Sequence, residues 1–187
     1  MEIRPVTGDD LTDLARLFDT SGTLTGCWCT FFLLSGRELG AGWGATNQAR
    51  FAEFAAAAPE PMGVLAYRDG EPVGWCATGP RSRYARVLRS PLMKGRDATE
   101  DDTVWLVPCF FVHRDARRTG ITRALLRAAV ELAAEHGATA VEGLPLASGG
   151  RHPTAEGYVG IEDVFRACGF ETTSRPSPRR LVMRRPM

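Results

Sequence analysis

The segment that most restricts the fold is residues 104–137. Residues 104–112, VWLVPCFFV, are almost wholly apolar, and residues 113–120, HRDARRTG, are polar and charged. An apolar run of this length predicts a strand that is covered on both faces of its sheet, and therefore a central strand. Because Pro108 removes one backbone hydrogen bond from that strand, we expect a bulge or a splayed strand near residues 108–110.

An amphipathic helix is predicted after the polar residues. Its buried face is predicted to consist of Ile121, Ala124, Leu125, Ala128, Ala129, Leu132 and Ala133. Arg123, Arg127, Glu131 and Glu135 are predicted to face outward, and Gly137 is predicted to end the helix. The sequence therefore predicts a strand, a tight polar turn and a helix in succession.

Strand and helix patterns alternate along the rest of the chain, which is typical of an α/β or α+β fold. Strands are predicted at residues 1–5, 62–67, 73–78, 140–146, 170–174 and 180–184. Further helices are predicted at residues 9–18, 46–57 and 160–168, the last of them after a loop rich in Gly and Pro. Asp69 and Gly70 predict a hairpin turn between two of the strands. Residues 80–103 are predicted to form a polar loop.

Length and charge limit the class of protein. A chain of 187 residues is expected to form a single domain, residues 1–187. The 23 basic and 22 acidic residues balance, so no electric field favours nucleic acid or an anionic membrane. No run of about 18 apolar residues occurs, and we therefore expect a soluble, cytoplasmic protein.

Cysteines and acidic residues give no clear metal site. Five scattered cysteines suit reduced thiols better than a disulfide framework. The Cys27-x-Cys29 pair has no second Cys or His pair at ligand spacing, so we predict that no metal is bound. The acidic cluster of Glu100, Asp101 and Asp102 is open to two interpretations, a cation site or a solvated loop, and the solvated loop is favoured.

The polar turn itself has the features of an anion site. A strand, a tight turn and a helix start bring unpaired backbone N–H groups together, and the helix dipole adds positive charge there. Gly120 allows close approach of the backbone to an anion, while Arg117, with Arg118 or Arg123, supplies charge-assisted hydrogen bonds. We interpret the turn as a diphosphate cradle. Alternatively, Gly and Arg serve only turn geometry and solubility. The sequence has neither a G-x-x-x-x-G-K-[ST] nor a G-x-G-x-x-G motif.

The turn and its flanks resemble a known family. Residues 112–126, VHRDARRTGITRALL, resemble motif A of the GNAT N-acetyltransferase superfamily, [QR]-x-x-G-x-[GA], with Arg117, Gly120 and Thr122 in its three defining places. Thr122 departs from the small residue that is usual there. Residues 165–171, FRACGFE, resemble the family's C-terminal LYxxxGFE pattern, and the element order agrees along nearly the whole chain. The resemblance implies a mixed, largely antiparallel central sheet with a splayed pair of central strands, flanked by about four helices.

The resemblance also implies acetyl-CoA as the acetyl donor. Phe110, Phe111 and Val112 are expected to line the pantetheine arm. The diphosphate is expected to contact the amides of Arg117, Arg118, Thr119, Gly120, Ile121 and Thr122, with Arg123 nearby. Phe165 is also assigned to the cofactor site, and it stands where the family often has a general-acid tyrosine.

The reaction that this implies is direct acetyl transfer to an amine of a small molecule or peptide. Deprotonating an amine of pKa about 10.4 at neutral pH costs about 4.6 kcal/mol, so a base or a dehydrating pocket is needed. Glu142 is the preferred base because it lies among apolar residues, and Glu162 and Asp163 are further candidates. For each of them the alternative is an ordinary salt-bridged or solvated carboxylate. Tyr158 is a candidate acid or a packing residue. An acetyl-Cys109 intermediate is disfavoured, because burial raises a thiol's pKa.

The segment between the first two helices is predicted to cover the acceptor. Its aromatic residues and cysteines are Cys27, Trp28, Cys29, Phe31, Phe32 and Trp43. They indicate a lid over an apolar or flat substrate, or alternatively packing against the flank of the sheet or at a homodimer interface. Two other functions stay open: a non-catalytic acyl-CoA-binding sensor or structural module, which Phe165 permits, and a nucleotide-binding domain of another fold.

Overall fold

The computed structural model describes residues 1–149 and 154–187. Its strands are Glu2–Pro5 (β1), Gly63–Arg68 (β2), Glu71–Pro80 (β3), Val104–Val112 (β4), Ala140–Gly143 (β5), Glu171–Ser177 (β6) and Arg180–Pro186 (β7). Its α-helices are Leu11–Phe18 (α1), Gly22–Cys27 (α2), Gly36–Ala41 (α3), Ala45–Ala57 (α4), Ala85–Leu88 (α5), Ile121–Glu135 (α6) and Glu162–Arg166 (α7). None of the helices within these residues is both long and apolar enough to cross a membrane.

The strands form one seven-stranded sheet in the order β1-β2-β3-β4-β5-β7-β6. Only β4 and β5 are parallel, and the other neighbours are antiparallel. The predicted hairpin is confirmed: β2 and β3 meet at Asp69 and Gly70, which both have positive φ angles, 53° and 80°. The mixed, largely antiparallel sheet that the sequence predicted is therefore confirmed.

The predicted splay of the central strands is present at Pro108. β4 pairs with β5 over four residue pairs, from Val104 with Ala140 to Val107 with Gly143, and no further. On its other side, Ala77 of β3 pairs with Cys109 and Gly79 pairs with Leu106, so that Val107 and Pro108 together oppose one residue of β3. This is the geometry of a bulge, which increases the local twist of the strand. β4 therefore separates from β5 near the middle of β4, after Val107.

Both faces of the sheet are covered, as the apolar sequence of β4 predicts. On one face, which we call the α6 face, Trp105 and Val107 pack with Leu125 and Ala129 of α6. On the opposite face, the α4 face, Leu106 shares a buried cluster with residues of α1 and α4, among them Leu14, Phe18 and Phe51. The sheet therefore separates two distinct environments, and residues of β4 reach both of them.

A glycine of β3 sets the distance between α6 and the sheet. A Cβ atom at Gly74 would lie 2.8 Å from Cγ2 of Ile121 and 3.1 Å from Cδ1 of Leu125. The absence of that atom lets the first turn of α6 lie close against β3. This contact fixes the start of α6, and with it the polar turn, at the C-terminal end of β4.

Short helices account for the main difference from the sequence prediction. Besides the four predicted helices, α2, α3 and α5 form in segments expected to be irregular. Two of them begin at serine caps: Ser21 accepts a hydrogen bond from the N–H of Leu24, and Ser35 forms a capping box with Glu38. These local hydrogen bonds form helices where no apolar periodicity is present.

Smaller corrections concern boundaries and the acidic cluster. The strand predicted at 140–146 ends at Gly143, because Leu146 bridges to Ile161 and Arg180 instead of β4. The helix predicted at 160–168 is restricted to Glu162–Arg166. The Gly- and Pro-rich loop before it lies partly outside the described residues.

Two acids of the predicted solvated loop are paired with arginines. Asp101 lies 2.7 Å from Arg81, and Glu100 lies 2.8 Å from Arg184. The cluster therefore joins the loop to the rest of the molecule through ion pairs.

Candidate active site

The polar turn after β4 presents a row of open backbone N–H groups. Arg118 and Gly120 both adopt left-handed conformations, with φ angles of 63° and 86°. Within the described part of the chain, the backbone N–H groups from Arg118 to Arg123 donate to no acceptor. A helix start with unpaired amides and a positive dipole end attracts anions. The turn therefore has the geometry expected of a diphosphate site.

Arginine side chains surround these amides. Nε of Arg117 donates to the carbonyl of Val112 at 3.1 Å, which ties the turn to the last residue of β4. Arg118 and Arg123 are exposed. Arg68 at the end of β2 donates to Oγ1 of Thr119 at 3.0 Å and adds another positive charge beside the turn. No local sequence pattern points to Arg68, because it lies 51 residues from its partner.

The separated end of β4 presents aromatic residues to both faces. Phe110 belongs to the cluster on the α6 face and meets the ring of Phe165 edge to face, at 5.9 Å between centroids. Phe111 belongs to the α4 face and stacks with Tyr158 at 6.4 Å. Val112 is partly exposed beside the polar turn. Leu146, three residues after the end of β5, bridges to Ile161, and residues 154–159 contact β4. The segment that contains Tyr158 thus lies beside the free part of β4.

Phe165 lies in the interior of the protein. Its side chain is fully buried and packs edge to face with Phe170, at 5.0 Å. A Cβ atom on Gly143 would lie 2.1 Å from the Phe165 ring, so this glycine makes room for it. With no exposed surface, Phe165 packs behind Phe110 and does not itself present a surface to a cofactor, and it carries no group that could donate a proton.

Glu142 is buried and bridges two arginines. Its Oε2 accepts a hydrogen bond from Arg81 at 2.9 Å, and its Oε1 accepts one from Arg184 at 3.3 Å. Arg81 is itself only 1% exposed and also pairs with Asp101. The carboxylate lines a cavity of about 300 Å³ on the α4 face. Glu142 is thus a salt-bridged carboxylate, which is the alternative to a catalytic base that the sequence left open. Its carboxylate also lines a cavity.

Glu162 and Asp163 occupy the first turn of α7. The hydrogen bond from Arg166 is the main cause that lowers the pKa of Glu162, and the backbone N–H of Ser148 acts in the same direction. A lowered pKa makes a carboxylate a weaker base. Asp163 is hydrogen-bonded by the Ser148 hydroxyl at 2.6 Å. Both carboxylates have local structural partners, and Glu142 is the one of the three that lines a cavity on the α4 face.

A group of buried thiols lies beside β4 on the α4 face. Trp28 and Cys29 have consecutive left-handed conformations, and Nε1 of Trp75 donates to Sγ of Cys29 at 3.3 Å. Contact with Cys29 and burial raise the pKa of Cys109 well above its ordinary value. Burial likewise raises the pKa of Cys27 to about 11. A protonated thiol is a poor nucleophile, so the geometry gives no support to an acetyl-cysteine route.

The residues predicted to cover the acceptor have different positions. Trp28 is buried and packs edge to face with Phe18 at 5.3 Å, so it belongs to the core, as the packing alternative predicts. Trp43 is 56% exposed and covers Gly26. Phe31 is 40% exposed and lines a cavity of about 350 Å³ on the α4 face, together with Phe32. Of the predicted acceptor residues, Phe31 and Phe32 therefore line a cavity, whereas Trp43 is exposed at the surface.

Comparisons with known proteins identify the family and the fold. The profile of the Acetyltransferase (GNAT) family matches residues 28–151. The chain is similar in structure to the ribosomal-protein-alanine N-acetyltransferase of Brucella melitensis, with 21% identity, a TM-score of 0.59 and both chains fully covered. It is also similar to the PaiA N-acetyltransferase of Thermoplasma acidophilum in complex with coenzyme A, with 11% identity, a TM-score of 0.57 and coverage of 100% and 98%.

A third similar structure is the ribosomal-protein-S18-alanine N-acetyltransferase of Escherichia coli, with 13% identity, a TM-score of 0.53 and coverage of 99% and 92%. No curated protein sequence matches significantly. At these identities the solved structures show the fold alone, whereas the family profile covers more than half of the chain, including β4 and the polar turn. The open amides and the splayed strand fit the diphosphate and the arm of coenzyme A. The chain therefore belongs to the acetyltransferase (GNAT) family and is an acyltransferase whose acetyl donor is acetyl-CoA.

Proposed function

We propose that the protein transfers an acetyl group directly from acetyl-CoA to an amine of a small molecule or peptide. The observation that carries this proposal is the row of open amides from Arg118 to Arg123 at the end of a strand that has separated from its neighbour. Such a row supplies several hydrogen bonds to a diphosphate without any reorganisation of the protein. The cytoplasm is the proposed location, since all five cysteines are free thiols.

The chain must move two protons during the transfer. Bound acetyl-CoA supplies a thioester with an electrophilic carbonyl carbon. The neutral amine, formed after an ammonium proton has left to solvent, would bond through its nitrogen to that carbon and lose one proton, the carbon–sulfur bond would break, and the departing sulfur would take one proton up. We assign the first proton to Glu142, through water in its cavity, and the second to Tyr158, whose hydroxyl has no hydrogen-bond partner among the described residues.

Calorimetry with acetyl-CoA tests the cofactor site. We expect saturable heat with the parent protein and its loss in an Arg117→Glu, Gly120→Asp double variant. No atom lies within 4 Å of the Cβ position of Gly120, so the added carboxylate repels diphosphate without a steric clash, but the φ angle of 86° strains any side chain there. An Arg117→Glu single variant, which leaves Gly120 in place, is therefore measured alongside and should also lose most of the heat. Arg114→Glu is the matched control, because Arg114 is 82% exposed and lies before the open amides. Equal heats for parent and double variant would refute the cofactor site.

A panel of amines tests the transfer. Acceptor-dependent release of free thiol from acetyl-CoA is expected, and its absence with every amine would favour a non-catalytic acyl-CoA-binding module. Tyr158→Phe is expected to lower kcat by about 100-fold or more with little change in acetyl-CoA affinity, because proton transfer by a positioned group contributes about that much. An unchanged kcat would remove Tyr158 from the mechanism.

A further inference from the structure

An arginine without an acceptor lies in the cavity of about 350 Å³ beside Phe31. Nη1 of Arg86 is buried, and among the described residues Arg86 has neither a hydrogen-bond acceptor nor an ion-pair partner. Its guanidinium carbon lies 4.1 Å from the centroid of the Phe31 ring. Because a buried charged donor without an acceptor is unfavourable, the arrangement is suited to an acceptor that arrives with a ligand.

The cavity has a positive and apolar lining. Arg86 and Arg180 supply the charge, Ser90 supplies a hydroxyl, and no acidic residue is among the described residues that line it. The remaining surface comes from aromatic and aliphatic side chains, including Phe31, Phe32 and Leu144. Arg180 donates to the carbonyl of Leu144 at 2.8 Å, which holds this wall in place. A ligand that fits has one anionic group and an apolar or aromatic body.

The position of the cavity connects it to acetyl transfer. Leu144 is the residue after Gly143, at which β5 ceases to pair with β4. It shares a buried cluster with Cys109 and Phe111 of the separated end of β4. The cavity therefore lies on the same face of the sheet as Tyr158 and the residues Cys109 and Phe111 of the separated part of β4, and Leu144 of its wall belongs to the buried cluster that contains them.

We propose that this cavity binds the acceptor and that Arg86 recognises a carboxylate of that acceptor. This inference rests on the proposed function and narrows its substrate to an amine that also carries a carboxylate and an apolar or aromatic group, such as an amino acid. A guanidinium whose face lies over an aromatic ring keeps its edge free, and the edge matches the two oxygens of a carboxylate. Phe31 and Phe32 then contact the apolar part of the substrate.

Direct binding of two probes without an amine separates this proposal from catalysis. Phenylacetate carries the carboxylate, and phenylacetamide is its neutral counterpart of nearly equal shape. With the parent protein saturated with CoA, calorimetry is expected to give at least about 10-fold tighter binding of phenylacetate, since hydrogen bonds between charged groups are worth that factor or more. Equal affinity for the two probes overturns the proposal and requires no variant.

Two variants locate the effect. Arg86→Met is expected to weaken phenylacetate binding by about 10-fold or more and to leave phenylacetamide binding unchanged. Arg89→Met removes the same charge from an exposed residue just after α5 and is expected to change neither. Parent-like binding of phenylacetate by Arg86→Met overturns the assignment of Arg86.

Acetylation rates complete the test. With the parent protein, phenylalanine is expected to show a kcat/KM at least about 10-fold higher than phenylethylamine, which lacks the carboxylate. A faster reaction with phenylethylamine overturns the proposal while leaving the acetyltransferase function intact. Failure of acetyl-CoA itself to bind, by contrast, overturns the proposed function, so the two failures are distinguishable.

Discussion

Two tyrosines on the α4 face differ in what their hydroxyl groups contact. The hydroxyl of Tyr67 donates to Oδ2 of Asp13 at 2.9 Å, while the hydroxyl of Tyr84 is buried and forms no hydrogen bond of regular geometry with the described residues, although the nearby guanidinium of Arg83 opposes the rise of its pKa. Burial is the main cause that raises the pKa of both groups, to about 12 for Tyr67. A buried hydroxyl that lacks a partner loses its hydration without compensation.

Removing the Tyr84 hydroxyl is expected to maintain or increase stability. Tyr84→Phe should raise the free energy of unfolding by up to about 1 kcal/mol, because the unpaired group no longer has to be desolvated. Tyr67→Phe is the matched control and should lower it by about 1 kcal/mol, since it removes a hydrogen bond to a carboxylate. Urea unfolding monitored by tryptophan fluorescence measures both. Clear destabilisation by Tyr84→Phe would show that the hydroxyl has a partner.

Arg81 shows the opposite situation, a buried charge with several acceptors. Its guanidinium donates to Asp101, Glu142 and the carbonyl of Asp97. Arg81→Met should therefore lower the free energy of unfolding by about 3–5 kcal/mol, because it leaves the Glu142 carboxylate with less compensation in the interior. Arg114→Met, at an exposed ion pair, should change it by less than about 1 kcal/mol. Urea unfolding of both variants measures these changes. Similarly small changes in both would contradict a stabilising role for the ion pairs of Arg81.

Sequence alone identified residues whose role depends on local context. Arg117, Gly120 and Thr122 are recognisable because the turn and the helix that they begin are contiguous in sequence. Arg68, Arg81 and Arg86 were missed, because their partners lie far along the chain or are absent from it. Glu142 was singled out by its apolar neighbours, but the two arginines that explain its burial come from other parts of the chain.

At the scale of elements, helix α6 links the core to the cofactor site. Its outward residues Arg123, Arg127, Glu131 and Glu135 are all exposed, as the periodicity predicts. Its start is held against β3 at Gly74, where a Cβ atom would come within 2.8 Å of Ile121. Displacement of α6 at this contact would move the open amides away from β4.

Gly74→Ala is expected to affect stability and cofactor affinity together. The added methyl group would force Ile121 and Leu125 to shift, at a cost of about 1–3 kcal/mol in the free energy of unfolding. We also expect a several-fold higher KM for acetyl-CoA, because the first turn of α6 carries the open amides. Gly22→Ala is the control, since nothing lies within 4 Å of its Cβ position. An unchanged KM for acetyl-CoA in a destabilised Gly74→Ala protein would show that the contact of Gly74 with α6 does not determine the position of the open amides.

Element boundaries were predictable where apolar periodicity sets them. β4 was predicted with its observed limits, Val104–Val112, because the strand is apolar on both faces. α3 was missed although Ser35 and Glu38 form a capping box whose pattern, S-x-x-E, is readable in the sequence. α2 lies in a segment rich in Gly, Thr and Cys, where a single serine cap and burial of Leu24 decide the structure.

At the scale of the whole molecule, paired carboxylates make stability depend on pH. The hydrogen bond from Arg184 is the main cause that lowers the pKa of Glu100, and Arg166 has the same effect on Glu162. Each carboxylate has a lower pKa when folded than when unfolded. Their contribution is therefore fully present above the unfolded pKa, near 4.5, and is lost as the pH falls through the folded values.

Acid titration of stability checks this sign. The free energy of unfolding is expected to show no pH dependence from these groups between about pH 7 and 5.5, where their contribution is complete, and to decline below about pH 4.5. Glu100→Gln and Glu162→Gln should each reduce the slope of that decline. Glu53→Gln, at an exposed position of α4, should leave it unchanged. Urea unfolding at a series of pH values gives the slopes. Parent-like slopes in both variants would show that these ion pairs do not cause the pH dependence.

The four residue pairs between β4 and β5 are also the short connection between two parts of the sheet. Strands β1 to β4 lie on one side of it and β5 to β7 on the other, so the sheet consists of two blocks with a short joint. A donor molecule that touches both blocks acts as a clamp across this joint. Its occupancy should raise the melting temperature, by the equivalent of about 2.7 kcal/mol at a concentration 100 times its Kd. The rise in melting temperature with different acyl donors thus shows which of them bind across the two blocks.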